Sequence, residues 1–271
     1  MSRIGPEPNT ETLDAERVDT ALHALSGGDT NKAESLLTEV IQNAPTAYVY
    51  EYDDDGTLSI KFWDQQEFIH YVTWTRQQGT ERSIEWLPSA YPRAFYWLGF
   101  LKVKTQTYDQ AVAFLDRGHN MEPTNPKFNL EKAQALFGLG HFTEALELYD
   151  EIKTVGPHIS GRDVAAALRG RGFILAEMGK LDEAERALEE SLKLEISSVA
   201  VNELRYVKRR RFGAPKADTA QVVTSAPNLG ECRVCGQRFT RGVVANVDGS
   251  TVSICRECDN KLSKKWWHFW K

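Results

Sequence analysis

Four cysteines are the residues of this chain best spaced for chemistry, and all fall within its last 40 positions. Cys232 and Cys235 enclose Arg-Val, Cys255 and Cys258 enclose Arg-Glu, and 19 residues separate the pairs. A C-x2-C arc brings two thiolates onto one tetrahedral ion, and two arcs complete a closed four-sulfur site with no position left for substrate. The spacing therefore predicts one structural Zn2+ on Cys232, Cys235, Cys255 and Cys258. Four thiols held reduced in a reducing compartment are the competing reading. Gly236 follows the first pair, where a knuckle needs a permissive backbone. Asp248-Gly249 marks the turn of a hairpin between the pairs.

Other chemistry-bearing residues do not converge. Glu67 and His70 form a single ExxH, whereas a di-iron bundle needs two plus further glutamates. Asp53, Asp54 and Asp55 lack the alternating oxygen donors of an EF-hand and read as a solvated turn. The sequence holds no phosphate loop, no HExxH and no nucleophile elbow. The expectation is a protein that is not an enzyme.

The elements that must carry these residues show a repeat. Segments starting at Pro92, Pro126 and Ala165 align without internal gaps, their starts 34 and 39 residues apart. Each reads as a helix, a short break and a second helix. The breaks precede Tyr108, Phe142 and Leu181, with Ala111, Ala145 and Ala184 three residues further on. Small residues at Gly99, Ala133 and Gly172 allow close helix approach, and Pro123 and Pro157 are expected to end second helices. A weaker copy carries Ala21, Gly28, Ala33 and Pro45. The pattern resembles the tetratricopeptide repeat (TPR), which implies a mainly α fold of stacked helical hairpins curling into a superhelix. By that resemblance the first helix of each pair faces a groove. Arg93, Tyr96, Trp97, Phe100, Lys104, Lys127, Leu130, Glu131, Gln134, Arg169, Phe173 and Glu177 would line it, Trp97 and Phe100 being equally able to pack on the chain's own insertion. Tyr96 and Phe100 replace two positions of the family's clamp for acidic chaperone tails, so that partner is not expected.

Between the first and second copies, YVYEYDDDGTLSIKFW reads as a β-hairpin turning at Asp55-Gly56. A helix follows, capped by Asp64 and Glu67 and stopped at Gly79. After Cys258, Leu262, Trp266, Phe269 and Trp270 recur at helical spacing. Knuckle, hairpin and helix is the order of a treble-clef, zinc-ribbon-like finger. The glycine after the first pair and the apolar residue before the third cysteine are similar to the zinc-binding domain of the ClpX unfoldase, which dimerises and binds adaptors. The spacing also approaches GATA-type fingers, which read DNA.

The expected organisation is a flexible N-terminus over 1–13, a repeat over 14–47, the insertion over 48–91, three repeats over 92–198, a capping helix over 199–212, a linker over 213–230 that leaves the finger to move independently, and the finger over 231–271. Net charge is −13 to residue 199 and +8 beyond it. That asymmetry suggests either two kinds of partner or a basic end docked on the chain's own acidic part. No run approaches the apolar length of a spanning helix and no secretory core opens the chain, so a cytoplasmic location is expected. The reading is a protein–protein interaction adaptor: a protein or peptide partner in the groove, with the finger as a second recognition or homodimerisation module. The alternative is a nucleic-acid-associated regulator, with Arg209, Arg210, Arg211, Lys264, Lys265 and Trp267 on phosphates and bases.

Overall fold

The computed structural model describes residues 8–212, 230–232, 236–239, 242–247 and 250–257. They belong to two compact units, one ending at Asp163 and one starting at Val164.

The first unit opens with α1 (Pro8–Ser26) and α2 (Thr30–Gln42). The segment expected to be flexible up to residue 13 is therefore helical from Pro8. Buried carboxylates anchor it: Glu11 accepts from the Tyr48 hydroxyl at 2.6 Å, and Asp14 accepts from Asn43 Nδ2 at 3.0 Å. Then come β1 (Glu51–Asp54), β2 (Thr57–Phe62), α3 (Gln65–Gln77) and β3 (Ser83–Pro88). Asp55 and Gly56 have φ of 47° and 86°, the doubly left-handed pair of a tight hairpin turn. Asp64 caps α3, accepting from the amides of Gln66 and Glu67, while the Glu67 carboxylate accepts from the Trp63 amide at 2.8 Å. The third strand goes beyond the expected hairpin and helix. β3 returns parallel to β2, giving a sheet in the order β1-β2-β3 with α3 as the crossover. Ile60, Phe62 and Tyr71 form its core, with Leu58, Phe68 and Ile84 against them.

The chain resumes its helical hairpins with α4 (Tyr91–Lys104), α5 (Tyr108–Met121), α6 (Pro126–Gly138) and α7 (Phe142–Asp150). The expectation that Pro157 ends the last of these is corrected. α7 stops at Asp150, and the chain turns at Ile152, which is buried and donates back to the Tyr149 carbonyl at 3.1 Å. α8 (Gly161–Glu177) begins at the close of this unit, four residues before the repeat start read from the sequence.

In the second unit α8 pairs with α9 (Leu181–Leu194), and α10 (Ser198–Phe212) covers Leu192 with Ala200, Val201 and Leu204. β4 (Gly242–Val247) and β5 (Ser250–Cys255) form the antiparallel hairpin between the cysteine pairs, with Gly242 opposite Cys255.

The four helical hairpins among the described residues share two devices. At the bend a residue turns left-handed: Gly28, Gln106, Gly140 and Gly179, with φ of 86°, 59°, 83° and 78°. In the second helix an alanine is fully buried: Ala33, Ala111, Ala145 and Ala184. A Cβ on Gly99 would lie 2.6 Å from Leu115 Cγ, and one on Gly172 would lie 2.7 Å from Leu188 Cγ, so only glycine fits these crossings. No helix among the described residues is long and apolar enough to cross a membrane.

Candidate functional site

In the first unit two of the predicted groove residues, Tyr96 and Lys127, are engaged by the insertion. Trp63, between β2 and α3, is buried in the repeat core with Val103, Ala111, Leu115, Phe128 and Ala135. Its ring lies 5.2 Å from Tyr96 and 5.5 Å from Phe128, and its Nε1 donates to Glu122 at 2.7 Å. Glu67 forms an ion pair with Lys127, whose ammonium also lies 4.9 Å from the Trp63 ring centre. Gln66 accepts from Arg162 at 3.3 Å, and His70 meets the Gly156 carbonyl at 2.7 Å. Further along the insertion, Lys61 pairs with Glu11 of α1 at 2.6 Å. The insertion thus crosses the first helices of three successive hairpins.

Arg93 and Phe100 are buried, Arg93 paired with Asp19, so neither presents a partner-facing side chain. Both were expected on the groove, and here their side chains are taken up within the fold. Tyr96 and Trp97 are half-buried, Trp97 packing 5.0 Å from Phe100. Lys127 is occupied by Glu67. Lys104 is exposed and Gln134 half-buried, and these are the predicted positions of this unit that remain open. Glu67 and His70, which form the ExxH, bond to different partners rather than to one site. Asp53 accepts from the Gly56 amide at 3.2 Å and pairs with Arg82, as a solvated turn should.

The locking contacts leave acids in dry surroundings. Burial, then the nearby Glu67, pushes the Glu122 carboxyl up to about 8, against the hydrogen bonds from Asn125 and Trp63. Burial alone raises Glu131 to about 8, and its Oε1 has no hydrogen-bond partner among the described residues. Burial pushes the Lys127 ammonium down, but the Glu67 carboxylate outweighs this and holds it above the usual value. The half-buried His158 is lowered to about 4 by desolvation, then by the neighbouring His70. It borders a cleft of about 260 Å3 with Asn125, Asn129, Glu151 and Pro157.

In the second unit Arg169 pairs with Glu195 at 2.7 Å and Phe173 is half-buried. Two cations at the basic end of α10 are paired with acids of α9. Lys208 reaches Glu189 at 3.0 Å and Glu185 at 3.3 Å, and Arg211 reaches Glu185 and Asp182 at 2.6 and 2.7 Å. Arg210 donates to the Ala176 carbonyl at 2.8 Å, leaving Arg209 exposed. Lys264, Lys265 and Trp267 lie outside the described residues.

Two of the four predicted metal ligands are described and they meet. The Cys255 amide donates to Cys232 Sγ at 3.3 Å, and the Gly236 amide closes a turn onto the Cys232 carbonyl at 2.7 Å with φ of 71°. Cys235 and Cys258 lie outside the described residues, and among those described no group of three metal-binding side chains occurs. Cys232 and Phe239 are buried against Ile196, at the junction of α9 and α10. Within the segment expected to move independently, the described Cys232 and Phe239 therefore pack on the α9–α10 junction. Ile196 supplies part of the apolar wall around these two side chains.

Sequence reasoning missed Trp63 and β3. Trp63 sits at the end of an alternating strand pattern, where nothing distinguishes a hairpin residue from an anchor. Its adjacency to the Asp64 cap was the available signal.

The family described as Anaphase-promoting complex, cyclosome, subunit 3 matches residues 104–191. No curated protein matches the chain. Similar solved structures include a thermophilic TPR protein of Thermus thermophilus, at 15% identity over 74% of this chain and 84% of that one, TM-score 0.48. Another is the first TPR domain of human RPAP3, at 26% identity over 44% and 90%, TM-score 0.38. MamA from Desulfovibrio magneticus is similar at 13% identity over 74% and 86%, TM-score 0.47. The repeated hairpins, with their left-handed bends and buried alanines, make this a mainly helical, TPR-like fold carrying a small three-stranded sheet.

Proposed function

We propose that the chain is a non-enzymatic protein–protein interaction adaptor. In this reading the TPR-like hairpins mount the insertion rigidly, and partners dock on the faces left open around Lys104 and Gln134 and on the outer side of the insertion. The lock around Trp63 carries the proposal. A buried tryptophan, a charge-assisted pair and a buried acid fix the insertion in place, and rigid display lowers the entropic cost of association. The expected partner is a protein or peptide held by the repeats rather than a small substrate.

The finger is the second module of the adaptor, for recognition or homodimerisation, built on one structural Zn2+ held by Cys232, Cys235, Cys255 and Cys258. Zinc would supply folding energy there, not catalysis. The Cys255 amide bonded to Cys232 Sγ and the left-handed Gly236 support this, being the environment a thiolate ligand requires. The acidic partners of Lys208 and Arg211 favour a docked basic end over a phosphate-binding patch, which sets the nucleic-acid alternative second.

Site-specific photo-cross-linking in the full chain tests the adaptor. A photoreactive residue placed in turn at Lys104, Gln134 and Trp86 should yield a discrete protein adduct from cell extract at one or more positions. Absence of an adduct at all three overturns the reading. Steep loss of RNA or DNA affinity on adding salt would favour the alternative. Metal analysis should give one zinc per chain, and four freely reactive thiols with no zinc would sink the finger.

A further inference from the structure

The sheet of the insertion ends in an unusual edge. Among the described residues β3 has a neighbour on one side only, β2, and Ser83, Glu85, Trp86 and Pro88 are all exposed. Strand edges of this kind offer a row of main-chain donors and acceptors to any extended chain, and proteins usually cover or blunt them. Pro88 limits the available ladder to residues 83–87.

Beside that edge stands a fixed aromatic anchor. Trp86 is 41% exposed, yet its ring stacks on Phe68 at 5.5 Å and 22°, and its Nε1 donates to the Phe62 carbonyl at 3.0 Å. An immobilised, half-exposed tryptophan has the character of a binding hot spot because its ordering cost is already met within the fold. The electrostatics select the occupant. Next to and along β3 the acids are Glu81 and Glu85, both exposed, against the single cation Arg82. Arg82, the basic residue nearest β3 in sequence, is already paired with Asp53. Two copies meeting edge to edge would bring like charges together, whereas a cationic segment would be drawn in.

We infer that the open edge of β3 docks an extended, basic segment of a partner protein, which adds to the sheet as a fourth strand with an apolar side chain against Trp86. Main-chain hydrogen bonds supply affinity, and the alternate side chains supply selectivity. This deepens the adaptor reading and rests on it.

The test uses the full chain and a fluorescein-labelled peptide of sequence TKVTVKVT. Fluorescence anisotropy should show saturable binding, with hydrogen exchange slowed at residues 83–87. Methylating alternate peptide amides keeps the charge but removes ladder donors, and should weaken binding about ten-fold or more, equivalent to about 1.4 kcal/mol. Trp86→Ser and Glu85→Lys should each weaken it comparably while circular dichroism stays unchanged. Equal binding of the methylated peptide, or protection confined to other residues, overturns the proposal. So does concentration-dependent self-association abolished by Trp86→Ser, which would make a second copy the occupant. Failure of the peptide beside intact cross-links at Lys104 or Gln134 overturns the strand edge alone, and absence of cross-links anywhere overturns the adaptor as well.

Discussion

Trp63 is the side chain on which the first unit turns. It fills the space between Tyr96 and Phe128 and donates to Glu122, so truncation leaves both a cavity and a buried acid without that donor. Trp63→Ala is expected to cost about 3–5 kcal/mol in urea unfolding, and a loss below about 1 kcal/mol would show that the insertion is not anchored there. Glu131 makes a separate prediction. Its carboxyl is raised by burial from 4.5 to about 8, so the folded state holds a proton that the unfolded state releases above pH 4.5. The stabilisation is full below pH 4.5 and declines as pH rises to about 8, by an amount on the order of a few kcal/mol. Urea midpoints measured between pH 5 and 8 should decline less in Glu131→Gln than in the parent. His158 acts oppositely: lowered from 6.5 to about 4, it costs stability as pH falls through that window.

At the scale of elements, the helical hairpins depend on their bends and crossings. Gln106 occupies the left-handed position that glycine fills in the other three hairpins. Gln106→Gly should therefore stabilise the first unit by about 0.5–1 kcal/mol, read as a rise in urea midpoint, whereas Gly140→Ala should destabilise it by a similar amount. Gly172→Val would drive a side chain into Leu188 and should cost about 1–3 kcal/mol in thermal or urea unfolding. These elements were the most legible in the sequence, since the 34-residue period, the bend glycines and the following alanines are local signals. The Asp55-Gly56 turn and the Asp64 cap were legible for the same reason. β3 was not. Ser83-Ile84-Glu85-Trp86-Leu87-Pro88 is short and ends in proline, and its ladder partner lies across a whole helix.

At the scale of the molecule, the two units have different dependencies. In the first, the insertion is an internal wall of the repeats. In the second, Cys232 and Phe239 lean on Ile196, so the proposed zinc should support α9 and α10 as well as the finger. A strong chelator is expected to speed hydrogen exchange at the α9–α10 junction while leaving α4 to α6 unchanged. Unaltered exchange at Glu195 and Ile196 after complete metal removal would disprove that coupling.

The amino-acid sequence by itself determined the repeating helical hairpins, the turn and cap chemistry of the insertion, and the pairing of thiols that makes a metal centre the expectation at the C-terminal end. These follow from spacing along the chain, which one strand of sequence carries whole. Which of the expected groove side chains the chain itself already occupies was decided only by tertiary structure. Arg93, Phe100 and Lys127 have the types and periodicity of binding residues, yet one is paired with Asp19, one is buried and one is held by Glu67. A helix periodicity says which side chains share a face; only packing says what already covers it.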